Sequence, residues 1–419
     1  MTSVRELLRH ELLRRSVLFA APILLSTVVG VFSIPVLVSA LGAGQWGVLV
    51  VLQSAAQLFA ILVAFGWGAT GPSMTAATPR SDRRQFYLDS LVARSVIFAI
   101  ALPIAGVAGA VLTAQPLWVA FLSAITYMLP GVGAAWYFIG SNRPVALFLL
   151  DALPLILGQI VGLLAVSALP TLATYLAVMA AFSIAGAVAS AIFVLTRRAD
   201  GEISWRRRSS LRRLYSAQLG GTATMVSGSL YSTLPPSIVQ LVAPAMLPVY
   251  AITDRLFKYA IIALGPVLQA VQSWVPEAEG AHTTDRARRT LQLGAVIGLL
   301  GGVSIAVLGP LASTILTLGQ APLPWGAAVI LGAAFAFESV AQVTGLAGLV
   351  ALGGVRRLAS SSIASAVIGL PLFAIGAGLF GILGATSVLL LVAATTAVYR
   401  TVWLLRLARA ADEVEDDAR

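Results

Sequence analysis

Cysteine is absent from the 419-residue sequence, lysine occurs once, and charged residues make up only 11% of the chain. The missing cysteines exclude disulfides and thiolate metal sites. Two histidines, His10 and His282, lie in polar flanks far apart in sequence, so no zinc site is expected. A soluble chain of this length would carry roughly a quarter charged residues. Signatures of soluble enzymes are also missing: there is no Walker loop, no HExxH and no GxSxG. No cofactor is implied by any of these patterns.

What fills the chain instead is apolar. Hydrophobic residues reach 58%, mean hydropathy is +0.93, and the apolar residues come in runs of twenty or more. That is the length needed to cross roughly 30 Å of hydrocarbon at about 1.5 Å per residue. Twelve segments can be marked, at about 17–40, 46–69, 91–113, 117–139, 145–168, 172–196, 214–241, 249–275, 291–308, 325–352, 358–379 and 384–405. The segment after Arg15 runs too long for a signal-peptide core and reads as the first membrane helix. Residues 309–324, uncharged, read as a loop that could dip into the interface. The expected fold class is all-α: a polytopic membrane protein of twelve transmembrane helices in two pseudo-symmetric six-helix lobes around a central cavity.

The net charge of +10 does not point to nucleic acid, because no soluble segment is long enough to present a basic face. The cations mark topology. Arg5, Arg9, Arg14 and Arg15 precede the first span. Arg80, Arg83, Arg84 and Arg94 fall between the second and third, and Arg143 between the fourth and fifth. Seven arginines from Arg197 to Arg213 fill the central loop, and the remaining even-side loops and the tail are equally basic. The odd-side loops contain no Lys or Arg, so the positive-inside rule puts both termini in the cytoplasm of a bacterial plasma membrane.

The chain also reads as doubled. A shift of 201 residues places Pro35 on Pro236, and Gln53 and Gln57 on Asp254 and Lys258. Basic, Leu-bearing segments, RELLRHELLRRS and WRRRSSLRRLYS, precede both halves and read as amphipathic helices at the membrane surface. The expected organisation is an N-terminal lobe over 1–200, a C-terminal lobe over 201–405 and a tail over 406–419. Two halves with an even number of spans form a parallel repeat.

Charges inside spans cost about 2.5–3.5 kcal/mol at mid-helix on insertion scales, so each one asks for a function. The eighth span carries Asp254, Arg255 and Lys258. Arg255 and Lys258 share a helix face and would hold a phosphate or pyrophosphate; alternatively Asp254 and Lys258, four apart, pair and lock helices together. Glu338, one turn from Gln342, could relay protons, bind a cation or neutralise an arginine. Asp151 in the fifth span has Arg143 as its expected partner. Gln53, Gln57 and Gln159 read as interhelical hydrogen bonds or sugar-binding amides. Trp46, Trp118, Trp325 and Trp403 read as interfacial anchors, and Trp136, Tyr137 and Phe138 as an aromatic belt or a sugar-stacking face.

Four segments, LGAGQWGVLVVLQS, AFGWGATGPSM, AAWYFIGSNRP and VYAITDRLFKYA, resemble Wzx-type polysaccharide flippases of the multidrug/oligosaccharidyl-lipid/polysaccharide exporter superfamily. The resemblance spans most of the chain. It implies passage of an undecaprenyl-pyrophosphate-linked oligosaccharide from the inner to the outer leaflet through a cavity that alternates between sides, with Arg255 and Lys258 receiving the pyrophosphate. The N-terminal half departs from a cation-rich cavity, offering only Gln53, Gln57 and Asp151. Implied partners are the lipid-linked glycan, membrane lipids and glycan-assembly enzymes. The competing readings are an exporter of small molecules coupled to H+ or Na+ through Glu338 or Asp151, and a membrane glycan polymerase. The polymerase reading lacks the charged outer loop such enzymes carry, and a lipid II flippase would carry extra helices.

Overall fold

A computed structural model describes residues 4–204, 209–274 and 283–417, and every described element is helical. Twelve segments of membrane length follow one another. The helix Val4–Ala64 is interrupted at Gly42 (φ 79°), which separates α1 (4–41) from α2 (43–77). Next come α3 (Arg83–Thr113), α4 (117–140), α5 (144–168), α6 (Leu172–Thr196), α7 (211–242) and α8 (Leu247–Trp274). The chain ends with α9 (Thr283–Leu316), α10 (325–349), and α11 (355–380) and α12 (382–417), which part at Gly381 (φ 58°).

Among the described residues eight stretches are long and apolar enough to cross a membrane, and two of them, Leu24–Ala77 and Val355–Glu413, each hold two segments. The two segments outside that count are α7 and α8. Their sequences explain it: α7 carries Ser216, Gln218, Thr222 and Tyr231, and α8 carries Asp254, Arg255 and Lys258. The described residues therefore form a multi-pass helical fold in which α7 and α8 carry several polar or charged side chains within their length.

Several details differ from the sequence-based expectation. The leading basic segment forms no separate surface helix; α1 is continuous from Val4. Residues 205–208 of the second such segment lie outside the described residues, and α7 begins at Leu211. Residues 309–316 extend α9, leaving only 317–324 as a connection, pinned where the Leu323 amide donates to Ser313 Oγ at 2.8 Å. The helix α12 runs on to Asp417, through most of the expected tail.

The chain divides into two compact units, Met1–Val226 and Ser227–Arg419. In the first, small residues let aromatic rings reach backbone: Phe121 fills the space a Cβ on Gly106 would need, as Phe182 does at Gly158. The break in α2 at Phe65–Gly66 receives the start of α7. Gly66 has φ 78°, and a Cβ there would meet the Gln218 carbonyl oxygen at 2.7 Å and the Thr222 nitrogen at 2.9 Å. Only glycine fits both the backbone angle and the approach. Gln218 is buried and shares a 2.5 Å hydrogen bond with Thr70.

In the second unit, α9 and α10 cross on a stripe of small residues. Gly294, Gly298 and Gly302 face Val340, Ala336 and Gly332, each set at four-residue spacing. Lipid tails offer no hydrophobic drive between helices, so close backbone packing of this kind supplies the attraction.

Candidate functional site

The resemblance-bearing segments fall into place locally. AFGWGATGPSM and AAWYFIGSNRP form one joint in the first unit. Trp67 and Trp136 have ring centroids 4.9 Å apart, Tyr87 stacks on Trp136 at 6.1 Å, and Gly140 packs on the Pro72 carbonyl. Trp136, Tyr137 and Phe138 are all buried, so they make a core rather than an aromatic belt or an open sugar-stacking face. The reason is the interruption of α4 at 129–134, which turns its last helical piece (Ala135–Gly140) inward. Trp46 is likewise buried at 2% exposure, whereas Trp118 and Trp325 are 59% and 62% exposed, as anchors require.

That interruption leaves carbonyls without helical partners, and α3 supplies a guanidinium to them. Arg94 is 1% exposed; its Nη1 donates to the Gly133 oxygen at 2.7 Å and the Gly131 oxygen at 3.1 Å, with Trp136 beneath at 5.3 Å. Arg94 was expected in a basic loop. The helix begins at Arg83, eleven residues earlier, which carries it roughly 16 Å inward. Asp151 lies in the π-helical turn Phe148–Ala152 of α5, beside Gly133. It lines a cavity of about 20 Å³ with Pro130, Ser183 and Gly186, room for one water.

Arg143 does not pair with Asp151. Its partner is Asp200, at 2.7 Å, with Tyr137 Oη donating to the same carboxylate at 3.3 Å and Arg197 at 3.9 Å. Burial works against the ionised Asp200, but the hydrogen bond and charge of Arg143, with Tyr137 and Arg197, outweigh it and hold the carboxyl below its ordinary value. The Asp200 hydrogen bond in turn raises Arg143. Arg84 donates to the Gly201 carbonyl at 2.7 Å and to that of Leu195, and the Ser209 amide donates to Asp89 at 3.0 Å. The arginine-rich central loop is thus stapled along the ends of α3, α4 and α6. Sequence reading missed Asp200 because two carboxylates, Asp200 and Glu202, among seven loop arginines look like solvated charge.

In the second unit, Lys258 and Asp254 pair at 2.8 Å one turn apart on α8, about 16 Å from its start at Leu247. Asp254 is buried and Lys258 and Arg255 are half-buried. The Asp254–Lys258 pair of the structural alternative is therefore present, and the three side chains of the turn carry a formal charge of +1, with Arg255 engaged by a further interaction.

Glu338 accepts a 2.6 Å hydrogen bond from Gln342 at the end of the α-helical part of α10, before the π-helical turn Val343–Leu349. Within electrostatic reach are Arg400 of α12 and Tyr231 of α7, whose buried hydroxyl has no hydrogen-bond partner among the described residues. Arg400 donates to the Ala341 oxygen and Ser361 Oγ, both at 2.9 Å, and to Ser362 Oγ at 3.2 Å. Arg400 is buried. Of the reasons open for Glu338, a nearby arginine is present. Gln53 is half-buried and engaged by an interaction of its own, and Gln57 is exposed on α2.

No family model and no curated protein matches the chain. Solved structures do. A multidrug resistance MATE family transporter of the MOP superfamily in an inward-facing conformation is 13% identical, with 94% of this chain and 96% of that one covered at a TM-score of 0.64. An outward-facing conformation described in the same words gives 0.56 at 96% coverage of both and 13% identity. A MOP superfamily transporter from Pyrococcus furiosus, reported with a binding pocket of reversed polarity suggesting a different function, gives 0.60 at 13% identity and 95% coverage of both. From its first helix to its last, this chain carries the fold of the MATE transporters of the MOP superfamily.

Proposed function

We propose that the protein moves an undecaprenyl-pyrophosphate-linked oligosaccharide from the inner to the outer leaflet of a bacterial plasma membrane by alternating access, both termini lying in the cytoplasm. The observation that carries the reading is the cluster on α8. Asp254, Arg255 and Lys258 put two cations and one carboxylate within one turn, well inside a span where each charge is costly. Amphiphilic cations, the usual cargo of drug exporters, would meet net repulsion there; a pyrophosphate would be attracted. The partner is the lipid-linked glycan, with glycan-assembly enzymes acting before and after it.

The test is the Arg255→Gln/Lys258→Gln double variant, reconstituted in proteoliposomes with a lipid-linked oligosaccharide. Loss of translocation with the protein still folded is expected. Undiminished translocation would remove the cluster from the mechanism.

A second reading, an exporter coupled to H+ or Na+, is favoured by Glu338, which sits beside Gln342 and within reach of a buried hydroxyl that has no hydrogen-bond partner among the described residues. Gene deletion separates the two. Lost surface glycan with unchanged drug susceptibility supports the flippase, and the opposite pattern supports the exporter.

A further inference from the structure

Where the start of α11 meets the far part of α12, away from their junction at Gly381, a second cationic cluster is built on a tryptophan. The Arg357 guanidinium lies 3.7 Å from the centroid of the Trp403 ring, and the Arg406 guanidinium lies 5.3 Å from it. Two points at those distances from one centre are no more than about 9 Å apart. Tyr399 flanks the indole at 6.4 Å and shares a 3.1 Å hydrogen bond with Ser360. The indole is rooted, packing against the buried core of Leu349, Leu404 and Ala408. Both arginines are exposed, and among the described residues neither forms an ion pair.

The position is equally specific. Trp403 lies 22 residues beyond the turn at Gly381, roughly 33 Å along the helix. That is about one hydrocarbon thickness, so the cluster sits at headgroup depth on the basic side of the membrane. A solvated topology arginine needs no such arrangement. Stacking on an aromatic face fixes the guanidinium plane and leaves its N–H edge pointing outward, which is the geometry for bidentate contact with phosphate oxygens. Ser360 Oγ donates to the Arg357 carbonyl at 3.0 Å and shares its other bond with Tyr399, which ties the two helices at the cluster, and the indole supplies the amphipathic surface that favours the interface.

We propose that Arg357, Arg406 and Trp403 form a binding site for the phosphate of an anionic lipid headgroup in the leaflet on the basic side. It is separate from the α8 cluster and does not rest on the transport reading.

The experiment uses the full-length protein purified in detergent. Binding of phosphatidylglycerol is measured by native mass spectrometry, with phosphatidylcholine as the lipid of zero net charge and inorganic pyrophosphate as the anion without a lipid. Surface arginines contribute about 1 kcal/mol each toward anionic headgroups, so Arg357→Gln/Arg406→Gln should weaken phosphatidylglycerol binding about thirtyfold. Arg198→Gln/Arg288→Gln removes the same charge elsewhere on the basic side and should change binding by less than about twofold. Equal weakening by both double variants would show diffuse charge attraction and overturn the site. Pyrophosphate binding as tightly as phosphatidylglycerol would overturn its assignment to a lipid. Arg357→Lys/Arg406→Lys keeps the charge and loses the planar fork; binding equal to that of the parent would refute the stacked geometry.

Discussion

The pair Asp254–Lys258 permits a direct measurement of how much of the α8 cluster is structural. On an exposed helix an (i, i+4) pair contributes about 0.3–0.5 kcal/mol, whereas an unpaired lysine at the centre of a span costs about 2.5–3.5 kcal/mol. Lys258 retains 32% of its side-chain exposure and Asp254 only 7%, so neither limit applies. A coupling of about 1–2 kcal/mol lies between them. The measurement is a double-mutant cycle of Asp254→Asn, Lys258→Gln and the two together, read by thermal or steric-trap unfolding in detergent. Asp254→Asn strands an ammonium and should destabilise more than the double variant does. The charge swap Asp254→Lys/Lys258→Asp should regain stability while moving the cation by one turn, about 5.4 Å. If the positive position matters for pyrophosphate, the swap is stable and inactive in translocation. A coupling below about 0.3 kcal/mol would refute the reasoning, since Lys258 would then be satisfied without Asp254.

Three further perturbations follow from the packing and the loop. Gly302→Val places a Cβ about 2.5 Å from the Gly332 carbonyl oxygen, so α9 and α10 must separate; a loss of about 1–3 kcal/mol in unfolding free energy is expected, and an unchanged melting temperature would contradict the crossing. Arg94→Met strands the Gly131 and Gly133 carbonyls at about 1–3 kcal/mol each before relaxation, and thermal denaturation as high as the parent's would show that they find other partners. Because the folded Asp200 carboxyl is held below its ordinary value, its contribution is present above about pH 4 and is lost as pH falls through the folded value. Protection from hydrogen exchange at 198–204, corrected for the intrinsic pH dependence of the amide rate, should therefore fall in acid, and Asp200→Asn should remove that dependence; an equally steep loss of protection in the variant would place the sensor elsewhere.

How far the sequence predicts this fold differs between its apolar and polar parts. Twelve spans were legible because each must satisfy its own backbone in lipid, which forces long apolar helices that composition alone reveals. The polar tertiary contacts were not. Arg94 and Arg400 sit close enough to span ends to pass for topology signals, and only the helix starts and interruptions show that both are buried. Each answers a local demand. Arg94 meets the carbonyls freed where α4 breaks at Pro130, and Arg400 meets the Ala341 carbonyl next to the π-helical turn in α10. A broken helix in a bilayer needs donors from outside its own chain segment, and a buried arginine supplies several in one plane. Asp151 and Glu338, the mid-span carboxylates singled out from sequence, belong to those same two places, one inside a π-helical turn and the other one turn before one. Irregular backbone lies beside both sets of charges: Arg94 answers the break in α4 next to Asp151, and Arg400 answers the Ala341 carbonyl with Glu338 within its field.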